Sequence, residues 1–192
     1  MILCGGKSRR TGFDKAFAKI DGKYIIEIIH EKLSAHFENV KLCVESNEKF
    51  GIFDMEMVED IIKSKTGPAV AINSALSQAT SEYVFVTACD MPFIDPGHIE
   101  FMKRALEDSA FLPDALVPEN GGFFEPLYSF YSARLAKLFE EEIGKGNYKI
   151  IDILNKCDIM FLDEKYSKMF DENLAMFTNI NYKADLEKIT GN

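Results

Sequence analysis

Along most of this chain, short unbroken apolar runs alternate with longer stretches in which apolar residues recur every three or four positions. Runs of the first kind suit strands buried on both faces of a sheet, and stretches of the second kind suit helices that cover it. Met1–Cys4 opens as a strand and is followed by a loop over 5–15. Tyr24–Phe37 reads as a helix with Ile25, Ile28, Ile29, Leu33 and Phe37 on its apolar side. Val40–Val44 is a second strand and Met55–Val58 a short third. The turn Thr66-Gly67-Pro68 leads into a helix over Ala69–Ala79, where Pro68 suits the first turn because no backbone donor is needed there. Tyr83–Ala88 is the clearest buried strand and ends at Cys89-Asp90. Pro96–Asp108 reads as a helix and Asp114–Pro118 as a strand.

After Glu119 the regularity weakens. Residues 120–126 read as a loop, and Pro126–Ser132 as a strand with a possible place at the sheet's edge. Leu135–Ile143 and Tyr148–Leu154 read as helices, and Asp158–Leu162 as a short strand. From Met176 an extended segment leads into a helix capped near Asn181. The alternation predicts an α/β domain with a mostly parallel sheet. With no repeat, linker or low-complexity tract, it is read as one domain over 1–192.

Composition narrows the function. The 192 residues carry a formal net charge of −9, which excludes a general nucleic-acid binder, since duplex binding rests on clustered Lys and Arg. The dense basic run, Lys7, Arg9 and Arg10, sits within a glycine segment, so a nucleotide remains admissible as substrate. No apolar run approaches the roughly 20 residues that span a bilayer, and no membrane partner is expected. The first charge arrives at Lys7, which does not fit a signal peptide. Cys4, Cys43, Cys89 and Cys157 are widely spaced and read as free thiols rather than metal ligands, which suits the cytoplasm.

The chemistry concentrates in Leu3–Lys15. Gly5 and Gly6, directly after a strand, let the backbone turn tightly and present N–H groups to an anion. Three cations, a hydroxyl, Gly12 and Lys15 follow, a content suited to a triphosphate. The spacing matches neither a Walker A loop nor the dinucleotide fingerprint. The other reading is a glycine turn with a solvated basic loop. Asp90 closes the strongest strand, where parallel sheets bind ligands, and one carboxylate there can hold Mg²⁺ alongside substrate phosphates. A turn-capping aspartate is the alternative at that position. Asn47 and Asp60 also fall at strand ends, where they either contact base and ribose or simply make turns. Three scattered histidines make no metal constellation.

These residues resemble the molybdenum cofactor guanylyltransferases. The family opens Leu-Ala-Gly-Gly-x-Ser-x-Arg-Met-Gly-x-Asp-Lys, and Leu3–Lys15 follows it with Cys4 in place of Ala and Thr11 in place of Met. Thr66-Gly67-Pro68-Ala69, Cys89-Asp90-Met91-Pro92, Glu125-Pro126-Leu127 and Phe177-Thr178-Asn179-Ile180-Asn181 are similar to further family segments. The resemblance implies a three-layer α/β/α sandwich of the Rossmann-like nucleotide-diphospho-sugar transferase type. It implies transfer of GMP from GTP to molybdopterin, giving the guanine dinucleotide cofactor and pyrophosphate. By matched position, Leu3, Cys4 and Gly5 would meet the nucleotide through their backbone and Lys15 its phosphates, while Arg10 and the loop amides, Gly6 among them, are expected to help hold the triphosphate. Asn47 and Asp60 would contact the nucleoside, Asp90 would bind Mg²⁺, and Asn179 and Asn181 would lie near the pterin. Cofactor-biosynthesis proteins and apo-molybdoenzymes are the protein partners the resemblance suggests. The rival readings are a CTP- or sugar-phosphate-using sister enzyme and a non-catalytic nucleotide-binding homologue.

Overall fold

The structure, a computed structural model, describes residues 1–4, 15–64 and 67–180. In chain order it forms strands β1 (Ile2–Leu3), β2 (Lys19–Ile20) and β3 (Lys23–Tyr24), helix α1 (Ile25–Ser34), strands β4 (Leu42–Val44) and β5 (Met57–Glu59), and helix α2 (Pro68–Ser77). Then come strand β6 (Tyr83–Ala88), helix α3 (Pro96–Glu107) and strands β7 (Ala115–Asn120), β8 (Phe123–Phe124) and β9 (Tyr128–Ser132). Helices α4 (Ala136–Gly144) and α5 (Ile150–Leu154), strand β10 (Ile159–Leu162) and helix α6 (Glu164–Ser167) follow.

The main sheet runs β10-β7-β9-β6-β1-β4-β5, with β8 paired to β7, while β2 and β3 form a separate hairpin. β1 is parallel to β4 and β6, β4 to β5, and β10 to β7. β9 alone on this path is antiparallel to its neighbours, β6 and β7.

Side chains of successive strand residues point to opposite faces, and both faces here are covered. Ile2, Leu42, Val44, Phe85, Leu116 and Phe130 join α1 and α3 in one apolar layer. Leu3, Cys43, Val58, Val84, Val86 and Tyr131 join α2, α4 and α5 in the other. The result is the expected three-layer α/β/α sandwich.

Helix ends follow local chemistry. The Tyr24 N–H donates to the Glu27 carboxylate at 3.0 Å, closing the start of α1. The Asp95 side chain accepts from the His98 N–H at 2.9 Å, capping α3 ahead of Pro96. α1 buries Ile25, Ile26, Ile29 and Leu33 and stops at Ser34, so Phe37 packs from the segment that follows.

Three expectations are corrected. β9 is central and not at an edge: all five of its residues are buried, and it pairs along both sides. The Ser129 hydroxyl donates to the Glu125 carbonyl at 2.7 Å, which lets this polar residue sit inside. The loop over 120–126 contains β8, turned back on β7 at Gly121 and Gly122, both at positive φ (59° and 80°) that glycine adopts without strain. The helix expected from Tyr148 begins at Ile150. The helix expected after Asn181 lies outside the described residues.

Candidate active site

Because β6, β1, β4 and β5 are parallel, their carboxyl ends reach one edge of the sheet. Leu3 lies across from both Cys43 and Ala88, and Val44 across from Glu59. The next residues along the chain, Cys4, Asp60, Cys89 and Asp90, therefore form a row. β9 runs the other way, with Tyr128 opposite Thr87, so its entry segment, Glu125–Leu127, stands at this same edge beyond Asp90.

Lys15 and Asp90, seventy-five residues apart, meet here: Lys15 Nζ lies 2.9 Å from Asp90 Oδ2. Their side chains are 24% and 15% exposed, open enough to reach a ligand and sheltered enough to hold one geometry. Lys15 begins a single 3₁₀ turn through Phe17. The Phe17 ring anchors that turn against Phe50 and Phe53, at centroid separations of 5.4 and 5.7 Å.

Asp90 is held through its backbone. The Ile180 N–H donates to its carbonyl at 2.8 Å, and the Met91 N–H closes a turn onto Ala88 at 3.2 Å. Lys32, from α1, donates Nζ to the carbonyls of Pro92 and Ile94 at 3.2 and 3.1 Å. Burial lowers the Lys32 pKa, and the nearby Asp95 carboxylate partly offsets that.

Asp60 and Asn47 sit at the far end of the row. The Asp60 N–H donates to Val44 at 2.9 Å, and its buried side chain lies 3.7 Å from the Cys43 sulfur. Burial raises the Asp60 carboxyl above the usual range, with the hydrogen bond from the Cys43 thiol opposing. Asn47 is exposed, and its N–H donates to the Glu59 carboxylate at 3.0 Å. From β6 to β5 are three strand spacings, about 14 Å, so this pair stands well apart from Asp90 along the crevice.

The Leu3 carbonyl accepts from the Cys89 N–H at 3.1 Å, and the Cys4 N–H donates to Cys43 at 2.8 Å, so both groups are engaged in the sheet. Asn179 is exposed and adjoins Ile180, which puts it beside the Asp90 backbone. Gly5, Gly6, Arg10 and Asn181 lie outside the described residues. Two residues were missed in the sequence. Lys32 looks like any solvated lysine on a helix. Glu125, whose carboxyl is raised by burial and bound by the Asn120 amide at 2.8 Å, stands in the Glu125-Pro126-Leu127 family segment but is given no role there.

Among the described residues no group of three or more His, Cys, Asp or Glu side chains is placed to hold a metal ion. Asp90 supplies one carboxylate. That donor set fits a hard cation completing its coordination on substrate phosphates, and does not fit an all-protein cage. No helix of the described residues is long and apolar enough to cross a membrane.

Comparison with known proteins bears on the family and the fold. The family model described as the MobA-like NTP transferase domain matches residues 1–163. The molybdenum cofactor guanylyltransferase of Syntrophotalea carbinolica is 34% identical, over 98% of this chain and 88% of its own length. The crystal structure of molybdopterin-guanine dinucleotide biosynthesis protein A from Archaeoglobus fulgidus superposes with a TM-score of 0.86 at 28% identity, covering 99% of this chain and 95% of that one. The 2-C-methyl-D-erythritol 4-phosphate cytidylyltransferase of Thermus thermophilus shares the fold alone, with a TM-score of 0.65 at 14% identity over 99% and 96% of the two chains. A sheet with these strand ends, a lysine and an aspartate joined across them and a family match through residue 163 lead to one assignment: this chain belongs to the MobA-like NTP transferase family.

Proposed function

We propose that this protein transfers GMP from GTP to the terminal phosphate of molybdopterin, forming the guanine dinucleotide cofactor and releasing pyrophosphate. The observation that carries the reading is the Lys15–Asp90 pair at 2.9 Å, set at the strand ends of a chain 34% identical to a guanylyltransferase over 98% of its length. The fold-only likeness to cytidylyltransferases gives the CTP reading no comparable support.

Nucleotidyl transfer asks the protein for position and charge stabilisation more than for covalent help. The attacking phosphate is already ionised near neutral pH, so no general base is needed. In this reading Lys15 and Arg10 hold the triphosphate, with backbone N–H groups of Gly5 and Gly6 at its oxygens. Asp90 would hold Mg²⁺, and the charge stabilisation such an ion supplies to a phosphoryl group would add to that of Lys15 and Arg10. Leu3 and Cys4 line the nucleotide's path, Asn47 and Asp60 meet the nucleoside, and Asn179 and Asn181 face the pterin. Lys32 fixes the chain after Asp90, so that the carboxylate does not swing away once a ligand draws Lys15 from it. The whole chain acts as one catalytic unit in the cytoplasm. Cofactor-biosynthesis proteins and apo-molybdoenzymes would be its protein partners.

The test compares GTP, CTP, ATP and UTP, each with Mg²⁺, by thermal shift, followed by pyrophosphate release with molybdopterin. GTP at a hundred times its Kd should stabilise by about 2.7 kcal/mol, and the other nucleotides far less. Stronger stabilisation by CTP, or no pyrophosphate release with GTP and molybdopterin, would overturn the proposal.

A further inference from the structure

Cys4 and Cys89 occupy matched positions at the ends of adjacent parallel strands. Leu3 and Ala88 are register partners, and the Cys89 N–H donates to Leu3 at 3.1 Å, so the two cysteines follow the last paired rung side by side. Both side chains join the same apolar layer. Neighbouring strands lie about 4.8 Å apart, inside the ~4.4–6.8 Å window of Cα separations that a disulfide spans. Cys4 is 9% exposed and buried, whereas Cys89 is only half-buried. Each immediately precedes a part of the site: Cys4 the glycine segment, Cys89 the Asp90 carboxylate.

We propose that Cys4 and Cys89 form a dithiol site for small-molecule disulfides, which close the pair into a disulfide and thereby slow the enzyme. The Cys89 thiolate attacks the reagent RSSR, forming Cys89–S–SR and releasing one RS⁻. Cys4 then gives its proton to solvent and attacks the Cys89 sulfur, expelling the second RS⁻. The protein loses two electrons and two protons, and RSSR becomes two RSH. Burial raises the Cys4 pKa, so the second step is slow and quickens as pH rises. Closure replaces two independent thiols by one bond between the strand ends that precede the glycine segment and Asp90, so neither segment can adjust to a ligand without the other. A displacement of about 1 Å at such a site costs on the order of 10²-fold in rate.

The disulfide itself is independent of the guanylyltransferase reading; its effect on turnover rests on it. The protein is incubated with oxidised glutathione at mildly alkaline pH, then mapped by peptide mass spectrometry and assayed for pyrophosphate release. The expected result is a Cys4–Cys89 cross-linked peptide lighter by two hydrogens, with turnover down about 10²-fold and restored by dithiothreitol. Cys89→Ala should keep its untreated rate through the same incubation. Free Cys4 and Cys89 after incubation, or a stable glutathione adduct on Cys89 with Cys4 still free, would overturn the site. Formation of the disulfide with unchanged turnover would overturn its control of the enzyme. If untreated protein shows no turnover, the guanylyltransferase reading fails, and the peptide map still decides the dithiol.

Discussion

The Ile180 N–H donates to the carbonyl of Asp90 at 2.8 Å, and the carboxylate of the same aspartate receives Lys15 at 2.9 Å. One residue thus joins the segment after the first strand, the end of the central strand and the last described stretch of chain. A ligand contacting all three would be organised around a single backbone position.

Removing either side chain of that pair should be felt in turnover. Lys15→Ala and Asp90→Ala are each expected to slow pyrophosphate release by on the order of 10²–10³, about 2.7–4 kcal/mol, the scale for losing a contact made in the transition state. Steady-state kinetics checks this, with circular dichroism to show that the fold survives. Near wild-type rates in both variants would mean that the roles are misassigned.

Lys32 donates two hydrogen bonds to the Pro92 and Ile94 carbonyls, which fix the turn after Asp90. Lys32→Met should lower kcat/KM about tenfold, consistent with the ~1.5–3 kcal/mol of a hydrogen bond to a charged group. Lys32→Arg, which keeps the donors, should recover part of the loss. Equal rates for all three proteins across a Mg²⁺ titration would refute the positioning role.

Asp60 carries a carboxyl whose pKa burial has raised. An acid with a folded pKa above its unfolded one costs stability as pH climbs past the unfolded value of about 3.8 and the buried group ionises. Asp60→Asn should therefore melt higher than wild type at pH 7, with the gap narrowing as pH falls. Melting curves from pH 4 to 8 would expose an error, which would appear as a gap that stays constant or reverses.

His98 is buried with Nε2 3.0 Å from the Ser167 hydroxyl, and its pKa is lowered from 6.5 to about 4, mainly by burial. The unfolded chain binds this proton more readily, so stability should rise with pH between about 4 and 6.5 and drop on acidification through that window. The span corresponds to up to roughly 3 kcal/mol. His98→Gln, which cannot take the proton, should flatten that acid limb in urea titrations, and an unchanged limb would assign it to other groups.

Much of this was legible in the sequence because periodicity reports burial. Tyr83–Ala88 and the helix over Pro96–Glu107 stand where the pattern put them. The content of the glycine segment singled out Lys15 and strand-end logic singled out Asp90, and the fold joins them. β9 was read as a possible edge because its two partners, β6 and β7, both precede it in the chain and nothing within Tyr128–Ser132 announces pairing on both sides. Lys32 was invisible for a similar reason. Its partners are backbone carbonyls sixty residues away, and no side-chain pattern encodes them.

The reversed strand also dictates an order of assembly. β6 and β7 are consecutive in the main sheet's chain order, yet β9 separates them and bonds to both. A ribosome must therefore release residue 132 before the two halves of the sheet can be spliced, and until then β6 keeps an apolar flank open. Chains stalled short of that point would present a sticky edge to one another, so nascent-chain lengths just below it are where chaperone dependence should peak.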